Sequence, residues 1–161
     1  MRDFEYEAPT ALSDTLDILA NHNGSARPLA GGTDLIDQVR TGRLKPDLVV
    51  NIKQLDELNV LDVSPAGLQL GAAVPCYRIH GDERIRTDYS ALADSTQIIG
   101  GVQIQSRASV GGNLCNSGPA ADSIPALIAL GATCLIAGPA GQRELPVEEF
   151  CTGPGQNVLQ P

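Results

Sequence analysis

Two glycine pairs, far apart in the sequence, constrain what this chain can fold into more than any other feature. They lie in Ala30–Leu35, which reads AGGTDL, and in Ser109–Asn113, which reads SVGGN. Glycine allows a backbone to turn sharply and to approach a ligand without an intervening Cβ atom. A single Gly-Gly is ordinarily only a tight turn. Two such pairs with hydroxyl neighbours favour the hypothesis that they hold the two phosphates of one dinucleotide.

Neither segment matches the better-known phosphate-binding motifs. No G-x-G-x-x-G Rossmann fingerprint occurs, and no glycine segment ends in the lysine and hydroxyl residue of a Walker loop. The chain also lacks a nucleophile–base motif, and we interpret its only histidines, His22 and His80, as surface or capping residues. Any catalysis would therefore depend on the chemistry of a bound cofactor.

Composition excludes several classes of function. The 161 residues carry a formal net charge of -8, which argues against a nucleic-acid partner because phosphates would be repelled. No apolar stretch is long enough to span a bilayer, and the polar N-terminus does not resemble a signal peptide, so a cytoplasmic protein is expected. The four cysteines, Cys76, Cys115, Cys134 and Cys151, show no paired spacing, which predicts free thiols without a metal or cluster.

The first third of the chain alternates between strand and helix patterns. This predicts a small lobe over residues 1–55 with a parallel sheet. The predicted elements are a strand at Phe4–Tyr6, a helix capped by Thr10 or Ser13 that runs to Ala20, a strand at Ala26–Leu29, a helix at Asp34–Arg40 and a strand at Leu48–Asn51.

The remaining residues, 56–161, predict a second lobe of mixed α+β structure. Its predicted elements are a hairpin over 59–72, a helical turn at 77–80, a helix over 90–99 with Leu92 and Ile98 facing inward, an extended segment over 103–110, a helix over 124–130 and a hairpin over 133–145. The last residues, Gly153–Pro161, contain turn formers that close no element, and we interpret them as a domain or partner boundary.

Local chemistry suggests roles for two acidic residues near the glycine pairs. Backbone N–H groups at the helix start after Gly32 are unpaired and stabilise an anion, so the Asp34 side chain should face away from the ligand. Asp122 has two interpretations: it caps the following helix, or it accepts hydrogen bonds from ligand hydroxyls. Considered locally, the cap is favoured.

Four segments in this order resemble a known family, the FAD-binding medium subunits of the molybdenum hydroxylases. They are AGGTDL at Ala30–Leu35, IGGVQI at Ile99–Ile104, SVGGN at Ser109–Asn113, and PAAD followed by PAL over 119–127. The resemblance implies an α+β, two-lobed FAD-binding domain of the PCMH type, with FAD between the lobes. The chain departs from the family pattern at Gln105 and Ala108, where family members often carry arginine and glycine, respectively.

The resemblance also implies site residues for FAD. The pyrophosphate would be held by Pro28, Leu29, Ala30, Gly31, Gly32, Thr33, Asp34 and Leu35. The pyrophosphate and flavin side would be covered by Ser109, Val110, Gly111, Gly112 and Asn113. Asp122 would accept hydrogen bonds from ribityl or ribose hydroxyls, and Ile99 would lie near the flavin.

The implied activity is electron transfer within a larger oxidoreductase. Electrons would leave a substrate at a molybdenum-cofactor large subunit, pass through a [2Fe-2S] small subunit to FAD, and reach an acceptor such as NAD or oxygen. The family's C-terminal domain is absent from these 161 residues. Two alternatives stay open: a stand-alone FAD oxidoreductase, and a flavin-free fragment that only docks a partner.

Overall fold

The computed structural model describes residues 2–159. Its N-terminal third contains three parallel strands, β1 (Glu5–Glu7), β2 (Ala26–Leu29) and β3 (Leu48–Asn51), in the order β1-β3-β2. The central position of β3 explains its composition, because all four of its residues are buried between neighbours. This confirms the predicted parallel sheet.

Two helices connect these strands. Helix α1 (Leu12–Asn21) packs Ile18 and Leu19 against Ala26, Leu48 and Val50 of the sheet. Helix α2 (Leu35–Arg40) follows β2 directly after the first glycine pair.

The start of α1 differs from the prediction. The residue at the cap position is Ala11, and no side chain caps the helix, so the predicted cap by Thr10 or Ser13 is wrong. The hydroxyl group of Thr15 instead donates to the carbonyl oxygen of Ala11 at 2.9 Å, from inside the first turn.

The rest of the described chain mixes short helices with antiparallel hairpins around one larger apolar core. That core includes Val74, Ile79, Ile85, Leu92 and Phe150. The helices are α3 (Cys76–Gly81), α4 (Glu83–Asp88), α5 (Ser90–Ile98), α6 (Val102–Gln105), α7 (Val110–Asn116) and α8 (Ser123–Ala129), and short 3-10 turns cover Asp56–Leu58 and Val147–Glu149. The hairpins pair β4 (Leu61–Ser64) with β5 (Gly67–Leu70), β6 (Thr133–Gly138) with β7 (Gly141–Pro146), and β8 (Cys151–Gly153) with β9 (Gln156–Asn157).

The α+β class is therefore confirmed. The division at residues 55 and 56 stays a prediction, although the separate apolar cluster around the parallel sheet agrees with it.

The segment predicted as extended, 103–110, is mostly helical, which is the main correction. The amides of Ile104 and Gln105 donate to the carbonyl of Gly101, so the chain forms α6, and α7 begins at Val110. The only strand-like contact in this region is an isolated bridge between Pro75 and Ser109, which leaves the segment without the partner strand that an extended conformation requires.

Three further differences concern single elements. Helix α4 was not predicted; its signal is Asp82, whose carboxylate accepts from the amide of Arg84 as an N-cap. Ile98, predicted to face inward, is 67% exposed, whereas Leu92 is fully buried as predicted. The segment after residue 150 closes a hairpin, and Gly155 donates to the Ser117 carbonyl at 2.9 Å.

Candidate functional site

The first glycine segment, Pro28–Leu35, begins with the last two residues of β2 and ends at the first residue of α2. Gly32 adopts a left-handed φ of +77°, a conformation that glycine reaches without strain. The amide groups of Gly31, Gly32 and Thr33 donate to no protein acceptor within residues 2–159. Consecutive partly exposed amides without partners form a local concentration of donors that suits an anion.

Residue 31 must be glycine because the backbone of Arg107 and Ala108 lies directly against it. A Cβ atom on Gly31 would overlap the carbonyl group of Arg107 and lie 2.9 Å from the amide nitrogen of Ala108. The loop between α6 and α7 therefore lies directly against the first glycine segment. This contact joins the two glycine pairs into one surface, because Ser109 follows Ala108.

The second glycine pair lies in the first turn of α7, not in a free turn as the sequence suggested. Ser109 is the N-cap, and its hydroxyl oxygen accepts from the amide of Gly112 at 3.1 Å. Gly111 packs against Ala72, and a Cβ atom there would lie 2.5 Å from the Cβ of that alanine. Glycine is thus required at 111 for contact with the protein itself, while Gly112 has only the Ser109 hydroxyl nearby.

Asn116 provides a polar link between the two glycine segments. Its amide group donates to the Asp34 carboxylate at 3.4 Å, and its carbonyl oxygen accepts from the Gln38 amide at 3.3 Å. The Asp34 side chain is exposed and is engaged with Asn116. The Asp34 amide donates to no protein acceptor within residues 2–159 and is therefore free to face a ligand, while the carboxylate is held by α7.

Asp122 occupies the cap position of α8 but does not cap it. Its backbone is helical, and its side chain makes no capping hydrogen bond. The Ser123 amide and hydroxyl instead donate to the side-chain oxygen Oδ1 of Asn113, at 3.3 and 2.6 Å. The local preference for a cap is therefore wrong, and the exposed Asp122 carboxylate has no hydrogen-bond partner within residues 2–159.

Ile99 lies behind the site rather than at its surface. It is 8% exposed and packs in a small apolar cluster with Cys76 and Ala108. Burial raises the pKa of the Cys76 thiol to about 11, so this thiol is neutral at physiological pH. Ala108 therefore joins this cluster to the loop that lies against Gly31.

Gln105 is a residue whose role the sequence did not reveal. It is 8% exposed, and its amide donates to the carbonyl of Gln97 at 2.6 Å and to that of Gly100 at 3.4 Å. It thereby joins α6 to the end of α5 and holds the loop that carries Ile99. The only sequence signal was its departure from the arginine common in the resembled family.

The His, Cys, Asp and Glu side chains of residues 2–159 do not assemble a separate centre. No group of three or more His, Cys, Asp or Glu side chains suitable for a metal occurs in the described residues. The ring of His22 contacts the carbonyl of Ile18 at 2.7 Å near the end of α1, as expected for a capping histidine, while His80 Nε2 is buried without a partner within residues 2–159. Among residues 2–159, no helix is long and apolar enough to cross a membrane.

These features fit the diphosphate of a dinucleotide. Unpartnered amides, a glycine surface free of Cβ atoms and an unengaged carboxylate at Asp122 lie on segments that contact one another. Anion binding by backbone donors needs no cationic side chain at the phosphate itself. The fold and the site together define a nucleotide-cofactor-binding domain.

Comparison with known proteins identifies the family. Residues 2–161 match the family described as the FAD binding domain in molybdopterin dehydrogenase, and the chain belongs to that family. Its cofactor is FAD, as the resemblance implied.

Individual relatives agree with this assignment. The chain is 34% identical over 98% of its length to the caffeine dehydrogenase subunit beta of Pseudomonas sp. strain CBB1, and covers 54% of that protein. It is 33% identical over 99% of its length to the xanthine dehydrogenase FAD-binding subunit of Escherichia coli O157:H7, and covers 55% of it. The chain thus spans about half the length of these curated relatives.

A solved structure confirms the fold. The carbon monoxide dehydrogenase from Hydrogenophaga pseudoflava, in a form that lacks the Mo-pyranopterin moiety, superimposes with a TM-score of 0.95. The sequence identity is 24%, and the match covers 99% of this chain and 55% of that one. At this identity the likeness concerns the α+β fold alone.

Proposed function

We propose that this chain is the flavin-binding part of an electron-transfer subunit in a molybdenum-containing hydroxylase or dehydrogenase. Its partners would be a molybdenum-cofactor large subunit and a [2Fe-2S] small subunit. FAD, when bound, supplies the electron-transfer chemistry between the iron–sulfur clusters and an external acceptor such as NAD or oxygen. The names of the relatives, a beta subunit and an FAD-binding subunit of two dehydrogenases, support an assembly of this kind.

The observation that carries the proposal is the surface formed where Gly31 meets the Arg107–Ala108 backbone. In this proposal Pro28–Leu35 binds the pyrophosphate through backbone amides, and Ser109–Asn113 covers it from α7. Side chains of any size at Gly31 would separate the two segments. The residues therefore bind and orient the cofactor, and none of them transfers a proton.

Two residues would have roles toward the rest of FAD. Asp122 accepts hydrogen bonds from ribityl or ribose hydroxyls, which the absence of a capping bond supports. Ile99 contributes indirectly, because it is buried under the loop and shapes the surface near the flavin. We also propose that residues 1–55 and 56–161 form the two lobes of the binding domain.

The test is a reduction experiment under anaerobic conditions. The chain is loaded with FAD and offered heterocyclic and aldehyde substrates, first alone and then with its co-purified partner subunits. Bleaching of the flavin only in the presence of partners is expected. Bleaching by the chain alone would favour a stand-alone oxidoreductase, and a chain that never binds FAD would favour a docking fragment.

A Gly32→Val variant tests the site itself. The valine would have to adopt the left-handed φ of +77° and would meet the Leu29 side chain, from which even a Cβ atom lies 2.8 Å away. FAD occupancy should be lost in the intact complex. Full occupancy in this variant would contradict the placement of the pyrophosphate.

A further inference from the structure

Arg107, whose carbonyl group lies against Gly31, also lines a small basic cleft. Its volume is about 250 Å³, and its lining includes Lys53, Tyr77, Arg78 and Arg107. None of these residues belongs to the glycine segments. The cleft is therefore distinct from the glycine segments, and it adjoins the proposed FAD site at Arg107, in the loop between α6 and α7.

Three cations reach this cleft from three different elements. Lys53 follows β3, Arg78 lies in α3, and Arg107 lies between α6 and α7. None of them forms an ion pair with a carboxylate within residues 2–159, where the ion pairs involve Arg2, Arg40 and Arg84. This convergence occurs in a chain whose formal net charge is -8.

The cations are held near one another without compensation by a protein anion. Lys53 Nζ donates to the Asn51 side-chain oxygen at 2.6 Å, which orients the ammonium group but does not neutralise it. Burial and the positive charge of Arg107 both lower the pKa of Lys53. A bound anion would remove this repulsion and satisfy the unused donors of both guanidinium groups.

We propose that this cleft binds a small phosphate-bearing anion, separately from the FAD pyrophosphate. A phosphate group carries enough charge to interact with several cations at once, and arginine forks match its oxygen geometry. The small volume suits a compact ligand rather than a protein surface. Tyr77, which is 51% exposed, adds a hydroxyl group and an aromatic face beside the charges. This inference goes beyond the proposed electron-transfer function.

Because Arg107 contacts Gly31, a phosphate of FAD is the main alternative to a separate phosphate ligand in the cleft. The Arg107 carbonyl lies against Gly31, and Arg107 also lines the cleft, so the two sites share one residue. A phosphate of FAD itself could therefore be the anion. Binding measurements with and without FAD separate this case from a second ligand.

In the test, the full chain is loaded with FAD and titrated with inorganic phosphate at constant ionic strength. Calorimetry measures the binding. Saturable binding of one phosphate per chain is expected. Arg107→Gln and Lys53→Gln should each weaken it by about tenfold or more, because each removes a charged hydrogen bond. Arg107→Gln leaves the backbone carbonyl at Gly31 in place.

Two further variants control for folding and for nonspecific charge effects. Arg78→Gln changes an exposed guanidinium in the cleft that makes no hydrogen bond within residues 2–159, so it should weaken phosphate binding while the thermal unfolding midpoint is retained. Arg43→Gln removes an exposed arginine outside the cleft and should leave phosphate binding unchanged.

Three results would overturn the proposal. Absence of saturable binding both with and without FAD would mean that the cleft holds no phosphate. Binding only to the FAD-free chain, with competition by FAD, would assign the cations to FAD. An equal loss of phosphate affinity in Arg43→Gln would show that the cleft variants act only through the net charge of the chain.

Discussion

The backbone carbonyl of Arg107 lies against Gly31, in a position that leaves no room for a side chain at residue 31. Two loops that lie 76 positions apart in the sequence are thereby in direct contact. The geometry of the proposed cofactor site depends on this contact, and its consequences can be measured.

Gly31→Ala should destabilise the chain and weaken FAD binding together. The added methyl group would overlap the Arg107 carbonyl, and overpacking of this kind costs about 1–3 kcal/mol. Chemical denaturation and FAD titration provide the two measurements. Gly81→Ala is the matched control, because a Cβ at Gly81 meets nothing within 4 Å and its φ is not in the left-handed region. Unchanged FAD affinity in Gly31→Ala would contradict a role for this contact in the site.

Asp122→Ala should weaken FAD binding by roughly tenfold to a hundredfold, because a charged hydrogen bond contributes about 1.5–3 kcal/mol. The unfolding free energy of the FAD-free chain should stay within about 0.5 kcal/mol, since the carboxylate makes no capping bond. Asn113→Ala provides the contrast: it removes the acceptor of the Ser123 amide and hydroxyl and should lower stability by about 1–3 kcal/mol. A stability loss in Asp122→Ala with unchanged FAD affinity would restore the cap interpretation.

Asn116→Ala should reduce FAD affinity modestly, by about twofold to tenfold, with little change in stability. Its two hydrogen bonds, to Asp34 and from Gln38, are long at 3.4 and 3.3 Å, so their net contribution is at the low end of about 0.5–1.5 kcal/mol each. The same titration as for Asp122 measures the effect. A loss as large as that of Asp122→Ala would mean that Asn116 contacts the cofactor directly.

Stability should fall in alkaline solution through Cys76. Its thiol, fully buried, has a pKa of about 11 in the folded chain against an ordinary 9.0. Above pH 9 the unfolded chain loses this proton while the folded chain keeps it, so the unfolded state is favoured as pH rises to about 11. The full effect is about 2–3 kcal/mol, at 1.36 kcal/mol per pKa unit.

Cys76→Ala tests this assignment. The variant should be less stable than the parent at neutral pH because of the lost packing, but its decline between pH 9 and pH 11 should be shallower. Denaturation midpoints at several pH values measure both slopes. Parallel slopes for the two proteins would place the alkaline effect on other groups.

Local patterns in the sequence predicted much of this protein, because they depend on neighbouring residues. The apolar run at Leu48–Val50 favoured a buried strand, and the alternation of strand and helix before it favoured a parallel sheet. The order and spacing of the four segments at 30–35, 99–104, 109–113 and 119–127 indicated the family and its cofactor.

Tertiary structure decided what the individual residues do. Ser109 and Asp122 both have side chains suited to capping, but only Ser109 caps, because Asn113 reaches the Ser123 amide from another helix. Gly31 and Gly111 look alike in sequence, yet one is constrained by Arg107 and the other by Ala72. Such contacts join residues tens of positions apart, and their geometry is fixed only when the elements pack together, so a pattern of neighbouring residues could not specify them.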